Sequence, residues 1–378
     1  MRVSYIPEGL AGMVNDRQAY LLSAIKWQVS NKAVKSSGYA PLKLTYLRTV
    51  LGRNGAKAAI DSCLAAGWIE QDERWVGGKE SMGYRLSKEL AGQRLVKRPF
   101  DDMTIADRIV KWQAAQITQA INGVQERQYV FDNLGRLDFR TGIKAVLAKH
   151  ANVDKLNSRI QAVGRVEDRN WWFRADERTG RIFHNASSLS KDCRAKLLID
   201  GQPAAETDIV NSQPFLLGSL YPGPSAERTR YLDLCVAGRF YEEIEGIFST
   251  PFADRDALKV GVYQQILYGN IWHTTQPVFQ SFAGVFPILA RTIAGMKSGK
   301  GGNQRLPLAM QKIEADVVIA GAVGRIMRDT PEWRCLTIHD SLLLPARYAE
   351  DAAEIIRQEL VNRFGLAPPV KVKLATKN

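Results

Sequence analysis

The sequence predicts an α+β protein in which a small N-terminal unit, a helical segment and a larger mixed unit follow one another. Apolar residues at helical spacing, for example in residues 104–124, predict helices along much of the chain. Short apolar runs on either side of a polar turn, as in residues 336–345, predict β-hairpins. The length of 378 residues leaves room for two or three domains of ~150 residues each.

The composition indicates a basic globular protein. A formal net charge of +13 favours a polyanionic partner, and nucleic acid is favoured over a membrane surface. The four cysteines are far apart and lack metal-ligand spacing, which argues against a disulfide framework or a zinc site: Cys63, Cys193, Cys235 and Cys335. No apolar leader and no run of ~20 apolar residues is found, so we expect a cytoplasmic protein without a membrane span.

Residues 1–95 predict one small unit. Three helices are expected at residues 18–29, 41–51 and 55–66, and two strands at 68–70 and 82–86 around a turn at Gly77-Gly78. This order resembles the winged helix-turn-helix family. The resemblance implies phosphate contacts from four cations on or beside the second and third helices: Lys43, Arg48, Arg53 and Lys57. A winged helix that binds a protein partner is the alternative.

A helical segment is predicted in residues 96–168, after a linker at residues 95–99. Its helices are expected at 104–124, 141–153 and 155–163. Beyond it, aromatic residues alternate with Arg174, Arg178 and Arg181, a pattern suited to stacking on bases and to phosphate contacts. For Trp171 and Trp172, packing in the core is the preferred interpretation.

Asp208 is predicted to end a strand and to precede a buried helix. The helix is expected to begin at Pro214, with Ser212 or Gln213 as its cap. A carboxylate held in this way is a common ligand for a metal ion. Taken alone, the same pattern is more often an Asx-type cap without chemistry.

The turn His339-Asp340-Ser341 gives Asp208 a possible partner. Apolar runs on both sides of it predict a β-hairpin with a polar tip, and Asp340 at that tip could meet Asp208 across a sheet. Two carboxylates brought close are costly unless cations neutralise them. Two divalent metals held between carboxylates are the apparatus of in-line phosphoryl transfer.

A helix capped by Asp254 is predicted to carry Arg255, Lys259 and Tyr263 along one face, because they recur at every fourth position. Two cations and an aromatic ring on one face could hold a triphosphate and pack against a base or sugar. For an isolated helix, a solvated basic face is the usual explanation.

These segments together resemble the palm and fingers of family A DNA polymerases and of the related single-subunit RNA polymerases. The shared motifs, in order, are Thr179-Gly180-Arg181, Asp208, the helix with Arg255, Lys259, Tyr263 and Tyr268-Gly269, then Gln311, Ala315 and Asp316, and finally His339-Asp340-Ser341. The match covers about the last two hundred residues. No single motif is specific, but five in the right order are much stronger evidence. The resemblance implies a palm in residues 169–378, fingers inserted at about 222–310, and a thumb-like role for residues 96–168.

The resemblance also implies roles for individual residues. Asp208, Asp340 and the Ile209 carbonyl would bind two magnesium ions, for which manganese could substitute. Arg255 and Lys259 would hold the incoming triphosphate, and Tyr263 or Tyr268 would stack near the new base pair. Primer or template would contact Arg181, Gln311 and His339, and Arg194 would add a cation near the site.

Two departures from the family pattern bear on the site. Tyr268 lies nine residues after Lys259, where the family has eight, so either a bulge absorbs the extra residue or one tyrosine is displaced. Gln213, five residues after Asp208, stands where the DNA polymerases carry glutamate and the RNA polymerases glycine. Its shape is close to that of glutamate and could exclude a ribose 2′-hydroxyl, so we expect deoxynucleotides.

The leading hypothesis is a compact DNA polymerase that uses a primer, a nucleic-acid template and nucleoside triphosphates. The chain ahead of the palm is too short and differently patterned for an exonuclease domain, so proofreading is not expected. An RNA polymerase or primase is the nearest alternative. A DNA-binding replication or regulatory factor with a degenerate palm is the alternative from another functional class.

Overall fold

The computed structural model describes residues 3–30, 38–73, 81–149, 152–248 and 252–374. Contacts between residues divide the chain into two units. The first consists of Met1–Gly123, Leu134–Arg174 and His184–Gly201, and the second of Val124–Asn133, Ala175–Phe183 and Gln202–Asn378. These bounds differ from the predicted divisions at residues 95 and 168.

The described residues form helices and strands throughout both units. The α-helices are α1 (Asp16–Ser30), α2 (Leu44–Leu51), α3 (Arg53–Ala65), α4 (Lys88–Ala91), α5 (Met103–Ile121), α6 (Gln125–Leu134), α7 (Ile143–Ala148), α8 (Val153–Glu167), α9 (Lys191–Arg194), α10 (Ser212–Gly218), α11 (Ala226–Val236), α12 (Phe240–Glu245), α13 (Arg255–Gly261), α14 (Pro277–Val285), α15 (Pro287–Lys297), α16 (Gly302–Ala315), α17 (Gly324–Asp329) and α18 (Ala349–Phe364). Two π-helical segments, Val262–Leu267 and Asp316–Val323, continue α13 and α16.

The strands are β1 (Val3–Pro7), β2 (Ala40–Pro41), β3 (Ile69–Gln71), β4 (Gly83–Leu86), β5 (Leu95–Pro99), β6 (Leu137–Phe139), β7 (Phe173–Ala175), β8 (Ile182–His184), β9 (Leu197–Ile199), β10 (Gln202–Ile209), β11 (Leu336–Ile338), β12 (Ser341–Pro345) and β13 (Val370–Leu374). Short 3-10 helices lie at Glu8–Leu10, Asn185–Ser188, Ile271–Thr275, Pro331–Trp333 and Ala346–Tyr348.

The first unit contains the predicted order of three helices and an antiparallel ribbon. Helices α1, α2 and α3 share one apolar core with strands β3 and β4. The predicted helix start at residue 41 is wrong: Ala40–Pro41 is a strand that pairs with β4, and α2 begins at Leu44. Pro41 has no N–H to donate, so it suits a short strand beside a turn. The predicted Gly77-Gly78 turn lies outside the described residues, and the winged-helix assignment stays a prediction.

Residues 95–99 are not a linker. They form β5, which pairs antiparallel with β1 from Val3↔Pro99 to Pro7↔Leu95. Leu95 is buried against Val3 and Tyr5. Only Leu95 of the strand is fully buried, so the segment lacks the regular alternation of apolar and polar residues that predicts a strand.

Two helices of the first unit differ in length from the prediction. The segment predicted as a helix at 141–153 forms α7, which ends at Ala148, and the next helix, α8, begins at Val153. The Asn152 side chain caps α8 by accepting a hydrogen bond of 2.9 Å from the Lys155 N–H. Trp172 packs edge-on against Trp27 with ring centroids 6.3 Å apart, in agreement with the packing interpretation for this residue.

The second unit is organised around four strands that pair antiparallel in the order β11–β12–β10–β13. Helix α18 packs on β10 and β13. The register places Asp208 opposite Ser341 on one side and opposite Lys371 on the other. A chain of aromatic contacts fills the neighbouring core, and Tyr231 lies edge-on to both Phe240 and Phe286.

All four cysteines are buried and free. Among the described residues, no helix is both long and apolar enough to cross a membrane.

A glycine in α8 provides a test of the packing between this helix and β1. A Cβ at Gly164 would lie 1.8 Å from the Tyr5 hydroxyl oxygen, which donates a hydrogen bond of 2.9 Å to Asp168. We expect Gly164→Ala to lower the free energy of unfolding by about 1–3 kcal/mol, because the overlap outweighs the gain in helix propensity. Urea unfolding measures this change.

The matched control is Gly295→Ala in α15, where a Cβ would meet no atom within 4 Å. This control should be neutral or stabilising by up to about 1 kcal/mol. A Gly164→Ala protein at least as stable as the wild type would contradict the described packing.

Candidate functional site

Asp208 lies near the end of β10, as predicted. Asn211, with φ of 55°, precedes α10, whose first residue is Ser212. The predicted helix start is therefore wrong by two residues, since Pro214 is the third residue of α10. The left-handed backbone at Asn211 turns the chain sharply from strand to helix, and asparagine tolerates that conformation better than most residues.

Asp340 lies beside Asp208 in the predicted hairpin turn. Strands β11 and β12 flank His339 and Asp340, and His339 adopts a φ of 54°. Asp340 directly precedes Ser341, which is opposite Asp208, and the Asp208 carboxylate is close enough to act on the Asp340 carboxyl group. Asp340 keeps some exposed surface, yet the surrounding protein excludes bulk water from its carboxyl group. This desolvation raises the pKa of Asp340 to about 7, and the carboxylates of Glu314 and Asp208 contribute to the rise.

A lysine already faces Asp208. Lys373 on β13 places its Nζ 2.5 Å from Asp208 Oδ2. Both side chains keep some exposure to solvent, 44% for Lys373 and 27% for Asp208, so water partly screens this pair. The ammonium shows that a cation can reach Asp208.

Glu314 is the site residue that the sequence analysis missed. Its side chain is 1% exposed, and it accepts hydrogen bonds from Arg181 Nε at 2.9 Å and from Arg181 Nη2 at 2.7 Å. Burial raises the pKa of Glu314, and the Arg181 guanidinium opposes that rise. The signal in the sequence was its place one residue before Ala315-Asp316 in the motif quoted above, where the motif leaves the residue type open.

The glycine of Thr179-Gly180-Arg181 explains how Arg181 approaches Glu314. Gly180 has a φ of 75°, and a Cβ there would come within 3.4 Å of the Ala315 side chain. Glycine adopts this backbone without strain. The turn therefore brings Arg181 against the end of α16.

Gln213 extends the contact between Arg181 and Glu314. Its Nε2 donates to Glu314 Oε2 at 2.6 Å, and its Oε1 accepts from the Tyr268 hydroxyl at 2.6 Å. Gln213 is 5% exposed. One continuous hydrogen-bonded chain therefore runs from Arg181 through Glu314 and Gln213 to Tyr268.

A π-helical segment sets the position of Tyr268. Helix α13 begins after Asp254, whose side chain accepts a hydrogen bond from the Ala257 N–H at 2.8 Å, as predicted. From Val262 to Leu267 the helix is π-helical, and the Tyr268 N–H donates to the Tyr263 carbonyl, five residues earlier. The rings of Tyr263 and Tyr268 stack at 5.5 Å. A bulge therefore lies between Lys259 and Tyr268, as the first of the two alternatives requires, and the places of the two tyrosines in the family pattern stay predictions.

The two cations of α13 lie around one aromatic ring. Arg255 and Lys259 are 5.6 Å and 5.5 Å from the centroid of the Tyr241 ring. Arg255 also donates to Glu242 at 2.8 Å, an ion pair that the sequence analysis did not anticipate. Both cations therefore lie on one face of α13, and the ring and the carboxylate restrict their positions.

Lys297 is a second residue that the sequence analysis missed. It is 1% exposed, and its Nζ donates to the Ile266 carbonyl at 2.6 Å, within the π-helical segment. Desolvation lowers the pKa of Lys297 to about 8. Lys297 thus satisfies a carbonyl of the segment that positions the two stacked tyrosines.

The other predicted residues are placed as follows. Gln311 is half-buried on α16, one turn before Glu314, and the exposed His339 lies edge-on to Phe183 at 6.0 Å. Arg194 belongs to the first unit and donates to the Leu189 carbonyl at 2.8 Å. The four cations predicted to contact phosphates in the N-terminal unit are exposed: Lys43, Arg48, Arg53 and Lys57. Their roles stay predictions.

In the part of the chain that the structure describes, no group of three or more histidine, cysteine, aspartate or glutamate side chains could hold a metal ion. Asp208 and Asp340 supply two carboxylates to such a site, and the Ile209 carbonyl is a predicted third ligand. Magnesium is usually bound by one or two carboxylates together with substrate phosphates and water.

Comparisons with known proteins find similarity among solved structures only. No family model matches the chain, and no curated protein matches it. Among solved structures, the chain is similar to the POL domain of Pol1 from M. smegmatis in complex with DNA primer-template and dNTP, at 12% identity and a TM-score of 0.42. The similarity covers 72% of this chain and 65% of that one, so the chain spans less than two thirds of its length. With identity and TM-score this low, the function must be argued from the site.

The buried lysine predicts a dependence of stability on pH. Between the lowered pKa of Lys297, about 8, and the ordinary lysine value of about 10.4, the unfolded chain binds a proton that the folded chain lacks. The free energy of unfolding of the wild type should therefore rise, relative to Lys297→Met, by about 1 kcal/mol per pH unit in this range. Thermal or urea unfolding between pH 7 and pH 10 measures it.

Lys300→Met is the matched control, because Lys300 is exposed and close in sequence. Its stability should follow that of the wild type across the same pH range. Parallel pH profiles of wild type and Lys297→Met would show that Lys297 is not buried in solution.

Proposed function

We propose that this chain is a template-directed nucleotidyltransferase, specifically a family A-like DNA polymerase without proofreading. The observation that carries the proposal is the juxtaposition of Asp208, near the end of β10, and Asp340, in the turn that leads into the neighbouring strand β12. Two carboxylates this close raise each other's energy unless a cation is present.

The donors at this site suit magnesium. Carboxylate and carbonyl oxygens are the ligands that magnesium prefers, and the Lys373 ammonium already lies where a positive charge is favourable. Asp208, Asp340 and the Ile209 carbonyl would hold two magnesium ions. When bound, such ions neutralise charge on the attacking and leaving oxygens of an in-line displacement.

The remaining residues would orient the substrate. Arg255 and Lys259 would bind the triphosphate, since they present two cations on one face of α13. The stacked rings of Tyr263 and Tyr268 offer an apolar surface for the base or sugar. Holding the reactants in this geometry accounts for much of the catalysis of phosphoryl transfer.

The nucleic acid would bind through cations and polar side chains. Arg181, Gln311 and His339 would contact primer or template, as would Arg194 and the exposed basic residues of the N-terminal unit. The net charge of +13 supports a polyanionic partner. The N-terminal unit could instead bind a protein.

A primer-extension assay tests the carboxylate pair. We expect Asp208→Asn and Asp340→Asn each to lower extension of a primed template with magnesium and dNTPs by about a thousand-fold, since each removes a negative charge from the reacting centre. Steady-state rates of single-nucleotide incorporation provide the measurement. The control is Asp233→Asn, an exposed carboxylate of α11 in the same unit, which should retain the wild-type rate.

The outcomes separate the hypotheses. Full activity in both Asp208→Asn and Asp340→Asn would contradict the assignment of these residues as ligands of two metal ions. Extension only with NTPs would identify an RNA polymerase or primase instead.

Gln213 should determine which sugar is accepted. Gln213 lies five residues after Asp208, and its side chain is hydrogen-bonded to Tyr268. The volume of the Gln213 side chain would exclude a ribose 2′-hydroxyl. We expect Gln213→Ala to lower the ratio of kcat/KM for dNTP to that for the matching NTP by about ten-fold or more. An unchanged ratio would show that another residue selects the sugar.

One observation favours a non-catalytic DNA-binding factor as a second candidate. Lys373 already neutralises Asp208, and Arg181 neutralises Glu314, so the acidic residues are partly compensated without metal. Such a factor would bind a primed template and extend it with neither dNTPs nor NTPs.

A further inference from the structure

The Glu314 carboxylate accepts three N–H groups. Arg181 Nε donates to Oε1, while Arg181 Nη2 and Gln213 Nε2 both donate to Oε2, at 2.7 Å and 2.6 Å. At 1% exposure, water cannot replace these donors. A buried carboxylate with this set of partners is expensive to disturb, because removing one partner leaves charge or hydrogen-bonding capacity unmet.

These contacts leave the Gln213 side chain one favourable orientation. A glutamine amide can rotate by half a turn, which exchanges its oxygen and nitrogen at little cost in shape. An ionised carboxylate only accepts hydrogen bonds, so the Gln213 nitrogen must face Glu314. The Gln213 oxygen then faces Tyr268, and the Tyr268 hydroxyl must donate to it.

We propose that Glu314 is a positioning residue that sets the sugar selectivity of the site by holding the Gln213 amide in this single orientation. The inference rests on the proposed nucleotidyl transfer and adds to it a residue that does not touch the nucleotide. Gln213 alone is a flexible neutral side chain. Hydrogen-bonded to Glu314 on one side and to Tyr268 on the other, the Gln213 side chain keeps one position beside the nucleotide sugar and excludes the 2′-hydroxyl sterically.

The first variant is Glu314→Gln, which preserves volume but removes the charge. The new amide can offer either its oxygen or its nitrogen to Gln213, so the orientation of Gln213 is no longer fixed. We expect the ratio of kcat/KM for dNTP to that for NTP to fall about ten-fold, the value of one hydrogen bond of about 1.4 kcal/mol. The change should appear mainly as a lower KM for NTP, with kcat for dNTP within about three-fold of wild type.

The second variant exchanges the two groups. In the double variant Gln213→Glu with Glu314→Gln, the carboxylate at position 213 accepts from the amide at position 314 and from Tyr268, and that amide oxygen accepts from Arg181. Each contact from position 314 through position 213 to Tyr268 then has a donor and an acceptor again, while Arg181 keeps one of its two acceptors at position 314. The double variant should therefore recover the selectivity that Glu314→Gln loses, whereas Gln213→Glu alone places two buried carboxylates in contact and should be the least stable of the four proteins.

The assay measures single-nucleotide incorporation of dNTP and NTP on one primed template by wild type, both single variants and the double variant. Glu332→Gln, at an exposed glutamate of the same unit, is the control and should match wild type. Recovery of selectivity in the double variant supports the positioning role, and thermal unfolding of all proteins separates this effect from a general loss of stability.

Two outcomes overturn the inference differently. If wild type incorporates nucleotides but Glu314→Gln leaves selectivity unchanged, or the double variant fails to recover it, Glu314 does not position Gln213. If wild type incorporates neither dNTP nor NTP, the proposed function fails, and the positioning role fails with it.

Discussion

The buried carboxylate of Glu314 connects parts of the second unit that are far apart in sequence. It receives Arg181 from the turn ahead of β8 and Gln213 from α10, and through Gln213 it reaches Tyr268 beyond α13. A carboxylate that is 1% exposed is tolerated only when its hydrogen-bond donors are in place. The segments that carry Arg181 and Gln213 must therefore pack against Glu314 together. The proposed selection of the sugar depends on that constraint.

The second requirement is the π-helical segment after α13. One extra residue rotates Tyr268 onto the same face as Tyr263, so that the rings stack and the Tyr268 hydroxyl reaches Gln213. A π-helical segment is rare because its hydrogen bonds are less favourable than those of an α-helix. Lys297 compensates by donating to the Ile266 carbonyl, although this places an amine where water is excluded. The strain and its compensation occur next to the site, as is common at functional positions.

Local sequence patterns predicted the structure correctly where the deciding interaction is between residues close together in sequence. The Asp254 cap, the end of β10 at Asp208 and the hairpin at Asp340 depend on neighbouring residues, and the structure has all three. Two of the errors occurred where a distant strand decided the outcome. Ala40–Pro41 pairs with β4, about forty residues away in sequence, and Leu95–Pro99 pairs with β1, about ninety residues away, so propensity alone misassigned both.

The sequence by itself determined the carboxylates, the cations of α13 and the order of the motifs, because residue type and spacing are local properties. The tertiary structure alone decided which charges meet: Glu314 with Arg181, Lys373 with Asp208, and Lys297 with the Ile266 carbonyl. A glutamate in a helix or a lysine at a helix end is most often exposed, and nothing near either residue in sequence indicates otherwise. Burial and pairing depend on what folds against a side chain, and that information is distributed over the whole unit.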